Sequence, residues 1–172
     1  YYGVIDERVD MDLVAAIADA HAEWQIVMVG PVVKIDPAAL PQRQNIHYLG
    51  QRPYEELPQF LASWDVALLP FAINESTRFI SPTKTLEYMV AELPIVSTNV
   101  ADVVELYERA VSLASDIGGF IGACERALKE TPQMQLDRVQ AMRDIVSINS
   151  WDATVKQMRS LMSEATRDIP SP

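Results

Sequence analysis

The feature that most restricts the fold of this chain is an alternation. Short, nearly continuous apolar runs at 1–5, 24–29, 45–49, 65–69, 94–97 and 110–113 are separated by longer polar or helical stretches. Runs of that length and character read as strands buried on both faces. Between the first two, apolar residues fall at Met11, Leu13, Val14, Ile17 and Ala18, a helical period over 11–21. Residues 53–64 place Leu57, Phe60 and Leu61 on one side of a second helix, and 81–91 form a third. Strands buried on both faces belong to parallel sheets with helices on each side. The expectation is an α/β fold: a doubly wound, Rossmann-like parallel sheet of about six strands. Additional carboxy-terminal helices follow over 117–129, 132–145 and 151–165, and a frayed tail over 168–172.

Composition narrows the function classes. With 49% apolar residues the chain is globular, and 172 residues suffice for one domain with a sizeable core. The net charge of −10 argues against general nucleic-acid binding, which needs a basic stripe. Any anionic ligand must therefore be held by a small local site. Cys124 is the single cysteine, so neither an intrachain disulfide nor a cysteine metal cluster can form, and its apolar neighbours Phe120 and Ile121 mark it as packing. His21 and His47 lack the spacing of metal ligands. Asp6 and Glu7, next to Arg8, read as solvated carboxylates rather than a metal site, and no metal is expected. Trp24, Trp64 and Trp151 read as packing residues. The apolar run 66–73 is interrupted by Pro70 and is far short of the ~20 residues a membrane helix needs. The first residues have no basic start and no long apolar centre, unlike a signal peptide. They resemble a strand entered midway, so the expectation is one domain, 1–172, cut from a longer protein.

In an open α/β sheet, ligands bind beyond the carboxyl ends of the strands. The chemically informative segment there is 71–88. Ser81 suits an N-cap and Pro82 a first helical position. Thr83 and Lys84 follow, where backbone N–H groups lack intrahelical partners. Lys84 is the odd residue, because a cation in the first turn opposes the helix dipole at a cost of ~0.3–1 kcal/mol. An anion at the helix start reverses that sign, accepting the N–H groups and pairing with Lys84. Arg78 adds a second cation before the cap. Glu87, three residues beyond Lys84, can share its face and accept ribose hydroxyls. The plain alternative is a solvated Lys84 in a helical salt bridge with Glu87. Gly118, Gly119 and Gly122 do not follow the first strand and form no dinucleotide fingerprint.

At these residues the sequence resembles the retaining GT-B glycosyltransferases that use nucleotide-activated sugars, of the group 1 or family 4 type. Pro82-Thr83-Lys84-Thr85-Leu86-Glu87-Tyr88 is similar to that family's Pro-x-Lys-x-x-Glu-Tyr, and Pro94-Ile95-Val96 to its Pro-Val-Val. Val29-Gly30-Pro31, Leu49-Gly50, Tyr54-Glu55-Glu56-Leu57, Trp64-Asp65-Val66 and Ser150-Trp151-Asp152 match further landmarks in order. The resemblance implies that Arg8, Ser81, Thr83 and Lys84 hold the donor diphosphate, Glu87 the ribose, and Gly50, Gln51 and Arg52 the base. It implies no cofactor, a nucleoside diphosphate sugar (a UDP-sugar by default) as donor, and an amino-terminal acceptor-binding domain as partner. It further implies a cytoplasmic location, with any contact to the inner membrane face made through the rest of the protein. Two residues depart from the pattern. Phe79 stands where many members carry a sugar-contacting Glu, and Glu92 where they carry Gly. Two readings compete: a noncatalytic Rossmann-like binding domain, and a domain of another nucleotide-sugar enzyme such as a sugar-mutase fusion.

Overall fold

The computed structural model describes residues 1–167, without the side chains of Trp151 and residues 165–167. The expected packing of Trp151 and fraying of the tail thus lie outside the described residues. The elements are α1 (Met11–Ala20), β1 (Ile26–Val29), β2 (Ile46–Gly50), α2 (Leu57–Leu61), β3 (Ala67–Leu69), α3 (Lys84–Val90), β4 (Ile95–Thr98), α4 (Ala101–Tyr107), β5 (Ser112–Ala114), α5 (Ile117–Leu128), α6 (Pro132–Ile148) and α7 (Trp151–Arg167). Short 3₁₀ turns cover Pro37–Ala39 and Tyr54–Glu56.

All strand pairs are parallel, as expected, but the described residues form five strands rather than six. One ladder joins β1 to β2 and another runs β3-β4-β5. Residues 1–5 lie between them without forming a continuous strand. They pair through separate bridges, Tyr2 with Val29 of β1 and Ile5 with Val32 in the segment after it. The Val29 N–H donates to the Tyr1 carbonyl at 2.9 Å, and the Gly3 N–H to the Val29 carbonyl at 2.8 Å. The interruption is Gly3, whose φ of 135° turns the backbone out of the extended region. Farther on, Val9 bridges Phe71, and the Asp10 N–H donates to the Pro70 carbonyl at 2.8 Å, tying this segment to the end of β3.

Strand alternation sends neighbouring side chains to opposite cores. Met28, Leu68 and Val96 join Val14, Ile17, Phe120 and Cys124 on the side of α1 and α5. Val29, Leu69 and Ile95 join Tyr88, Met89, Val103 and Met142 on the side of α3, α4 and α6. Both faces are covered, the doubly wound arrangement. Burial pushes the Cys124 thiol up to about 12, consistent with its packing role.

Local chemistry explains the element ends. Asp10 caps α1 by accepting from the Leu13 N–H at 2.8 Å, Asp116 caps α5 through Gly119, and Thr131 caps α6 through Met134. The helix expected over 53–64 is broken into a 3₁₀ turn and α2, because Pro58 lacks the N–H that would continue an α-helix from Tyr54. Helix α4 carries no side-chain cap at Val100, so its start has no sequence signal. Glu92 has a φ of 55°, a left-handed conformation that glycine adopts more readily. Two contacts from α6 hold it. Arg143 donates to its carboxylate at 2.7 Å, and Arg138 donates to its carbonyl at 2.8 Å.

Candidate functional site

At the carboxyl ends of residues 1–5, β1 and β2 the chain turns at Gly3, Gly30 and Gly50, all with positive φ. Backbone crowding demands glycine at Gly30, and at Gly3 the positive φ favours it. A Cβ on Gly30 would stand 1.9 Å from the Gly3 carbonyl oxygen, and one on Gly3 would stand 2.1 Å from Cε of Lys84. Gly3 thus makes the passage along which Lys84 reaches back from α3. The ammonium lies 5.9 Å from the centre of the Tyr1 ring. Burial, then the nearby Arg8, lower the Lys84 pKa, while Asp6 opposes them. Lys84 is thus half-buried rather than fully solvated, and among the described residues it forms no salt bridge with Glu87.

The loop after Gly3 corrects a second expectation. Asp6 is 1% exposed rather than solvated. Arg8 encloses it: the Arg8 backbone N–H donates to Oδ1 at 3.1 Å, Nε to Oδ1 at 2.9 Å, and Nη2 to Oδ2 at 2.6 Å. Burial alone would raise the Asp6 pKa, but the hydrogen bonds and charge of Arg8 together hold it below its ordinary value. Arg8 Nη1 has no hydrogen-bond partner among the described residues. Two cations and one buried carboxylate thus leave one net positive charge beside the glycines.

Ser81 is not the N-cap. The helix starts at Lys84, with Thr83 at the cap position and no side-chain capping bond. Pro82 is buried and its carbonyl accepts from the Thr85 N–H at 3.0 Å, so a tight turn precedes the helix. The backbone N–H groups of Ser81, Thr83 and Lys84 have no acceptor among the described residues. The preceding loop is self-braced: Thr77 is buried, its hydroxyl donates to the Ala72 carbonyl, and Asn74 donates to the Glu7 carbonyl at 3.2 Å. Arg78 pairs with Glu75 at 3.8 Å and lies over the Phe79 ring. Phe79 itself is 83% exposed.

Glu87 is half-buried, and burial raises its pKa. Its Oε1 accepts a hydrogen bond from the Tyr54 hydroxyl at 3.1 Å. Gly50, Gln51 and Arg52 lie exposed just before Tyr54, and the Gly50 carbonyl accepts from the Gly30 N–H at 2.8 Å. Sequence reasoning missed Asp6, Gly3, Gly30 and Tyr54. A glycine directly after an apolar run was an available signal for Gly3 and Gly30. Among the described residues no group of three or more His, Cys, Asp or Glu side chains is placed to hold a metal. Among the described residues no helix is long and apolar enough to cross a membrane.

The fold is a doubly wound α/β domain of GT-B type, with Lys84, Arg8 and unpaired amides gathered at the carboxyl ends of its strands. Residues 8–130 match the family glycosyl transferases group 1, and the chain belongs to that family. A Bacillus subtilis (strain 168) protein, provisionally assigned as a teichuronic acid biosynthesis glycosyltransferase, is 21% identical over 92% of this chain and 41% of its own length. The sucrose-phosphate synthase of Thermosynechococcus elongatus superposes with a TM-score of 0.72 at 16% identity, over 96% of this chain and 46% of that one. Anabaena Alr3699/HepE in complex with UDP gives 0.67 at 15% identity, over 95% and 48%. The chain spans less than half the length of each.

Proposed function

We propose that this chain is the donor-binding domain of a glycosyltransferase, and that it holds a nucleoside diphosphate sugar, UDP-linked by default. The observation that carries the reading is Lys84. It is a half-buried cation drawn over Gly3 toward Arg8, on a helix start with three unpaired amides, and a bound diphosphate would add to the partial compensation that Asp6 and the Tyr1 ring supply. In this reading Lys84, Arg8 and the amides of Ser81, Thr83 and Lys84 hold the diphosphate. Glu87 accepts the ribose hydroxyls, and the segment Gly50, Gln51 and Arg52 meets the base.

In transfer, the glycosidic bond breaks and negative charge grows on the departing diphosphate. Fixed donors aimed at that charge lower the barrier, by ~3–4 kcal/mol for a single well-placed donor in other enzymes. The acceptor belongs to an amino-terminal domain in the remainder of the protein, a proposal supported by relatives about twice as long. This chain alone is expected to bind donor without turnover, in a cytoplasmic setting. Phe79 favours a second reading, a binding domain without catalysis, because an exposed ring supplies no carboxylate to a sugar.

Amide shifts during titration with UDP, GDP, ADP and NAD test the site. Shifts at 81–87 with one nucleoside diphosphate, lost in Lys84→Ala, support it. No shift there at millimolar ligand refutes it for this chain. Sugar transfer by the full-length protein separates the enzymatic from the noncatalytic reading.

A further inference from the structure

Tyr54 has an unusual placement for a large aromatic residue. The residue is 67% exposed, in the 3₁₀ turn Tyr54–Glu56 that follows β2. Its hydroxyl nevertheless reaches Glu87 on α3, far along the chain, at 3.1 Å. That is the only hydrogen bond the side chain makes among the described residues. A tyrosine placed only to pack would bury its ring, and one placed only for solubility would leave its hydroxyl in water. Here the polar end is fixed and the apolar face is bare. The neighbouring Gln51 and Arg52 are exposed and have no side-chain partner among the described residues.

We infer that Tyr54 is a nucleoside-reading residue: its hydroxyl positions the Glu87 carboxylate and its exposed ring provides a stacking face for the nucleobase. The inference rests on the donor-site reading above and assigns a recognition residue that reading lacks. The geometry divides the labour. With Oε1 of Glu87 engaged by the phenol, Oε2 and the remaining lone pair of Oε1 stay open to the two vicinal ribose hydroxyls. The phenol donates, so the carboxylate is kept as an acceptor in one orientation. In this reading the ring serves the base, and Lys84 and Arg8 serve the phosphates.

The test compares UDP, 2′-deoxy-UDP and inorganic pyrophosphate on the wild-type chain, Tyr54→Ala, Tyr54→Phe and Lys84→Ala, by calorimetry or amide shifts. Tyr54→Ala is expected to weaken UDP by about tenfold or more, in the range of lost aromatic–base stacking, and to leave pyrophosphate unchanged. Tyr54→Phe keeps the ring and loses the tether. It is expected to retain most UDP affinity but to reduce the preference for UDP over 2′-deoxy-UDP. A residue that merely braces the loop would move neither ratio. Wild-type UDP affinity in Tyr54→Ala, with binding still lost in Lys84→Ala, overturns this inference and leaves the donor site standing. Equal losses for UDP and pyrophosphate in Tyr54→Ala overturn it as well, since that pattern is a general disturbance. Absence of UDP binding by the wild-type chain overturns both readings.

Discussion

The two ends of the parallel sheet are built from opposite materials. At the carboxyl end stand Gly3, Gly30, Lys84, the Asp6–Arg8 pair and a set of unpaired amides. At the amino end lies a cavity of about 520 Å³, lined by Tyr1, Trp24, Phe60, Trp64, Leu68 and Leu128 among others. That cavity has the volume and apolar lining of a ligand pocket. Its charged lining residues are Glu23 and Asp65, both acidic, so it cannot attract an anion. Volume alone would select the end opposite the proposed donor site. The deciding difference is the peptide direction: parallel strands and the helices that follow them present free N–H groups at the carboxyl end. A chain carrying a net charge of −10 concentrates its few useful cations there.

The contrast can be broken most severely at Gly30. Its substitution by Ala forces a Cβ to 1.9 Å from a backbone carbonyl at a φ of 149°, so a loss of at least ~3 kcal/mol in urea or thermal unfolding is expected. A variant within ~1 kcal/mol of wild type would show that the rim tolerates side chains. Asp6→Asn comes next, with a loss of about 1–2 kcal/mol, as for weakened hydrogen bonds to a charged group. It also sharpens the comparison through pH. The folded-state pKa of Asp6 is depressed below 3.8, so its contribution is present above that value and fades as pH falls through the lower folded value. The acid limb of the stability profile should therefore be shallower in Asp6→Asn.

Away from both ends, Glu92 sets a smaller test. Gly relieves its φ of 55° and Ala does not, so Glu92→Gly should be more stable than Glu92→Ala by about 1 kcal/mol, the Arg143 pair being lost in both. The smallest effect belongs to the amino end. His21 stacks on Trp24 at 3.7 Å, and its two ring nitrogens face Glu23 at 2.9 Å and Glu125 at 2.8 Å. Those hydrogen bonds raise its pKa above 6.5. Stability from the imidazolium is complete below 6.5 and is lost as pH rises through the raised folded value. His21→Gln should flatten that decline. A flat wild-type profile between neutral and mildly alkaline pH would remove the imidazolium from the account.

Much of this was legible in the sequence, and the failures are physical. The apolar runs located β1 to β5 because both faces are covered, so no polar alternation obscured them. The first run failed as a strand because one glycine bends it, an effect apolar counting does not see. Ser81-Pro82 has the composition of a helix start, yet Pro82 is buried and sets a turn, and the helix begins later. Asp6-Glu7-Arg8 reads as a solvated cluster; only a turn that folds Arg8 back over Asp6 buries the carboxylate. The Tyr54–Glu87 bond joins distant segments and has no local signature. Lys84 was found because a cation in the first turn opposes the helix dipole, and Glu92 because a family pattern placed glycine there.

Gly3 and Gly30 have a consequence for how this surface can diverge. Beside Lys84 the chain offers α-carbons and peptide groups instead of side chains, so the shape of that floor is the same whatever residues flank it. The loops after β1 and β2 are then free to accept substitutions and change their polarity while the floor keeps its form. Tolerance there is confined to the neighbours, and the glycines themselves are closed to change. Such a surface can change at its borders while its centre keeps its form; under the proposed function, that lets one scaffold keep its hold on a diphosphate and exchange the chemistry around it.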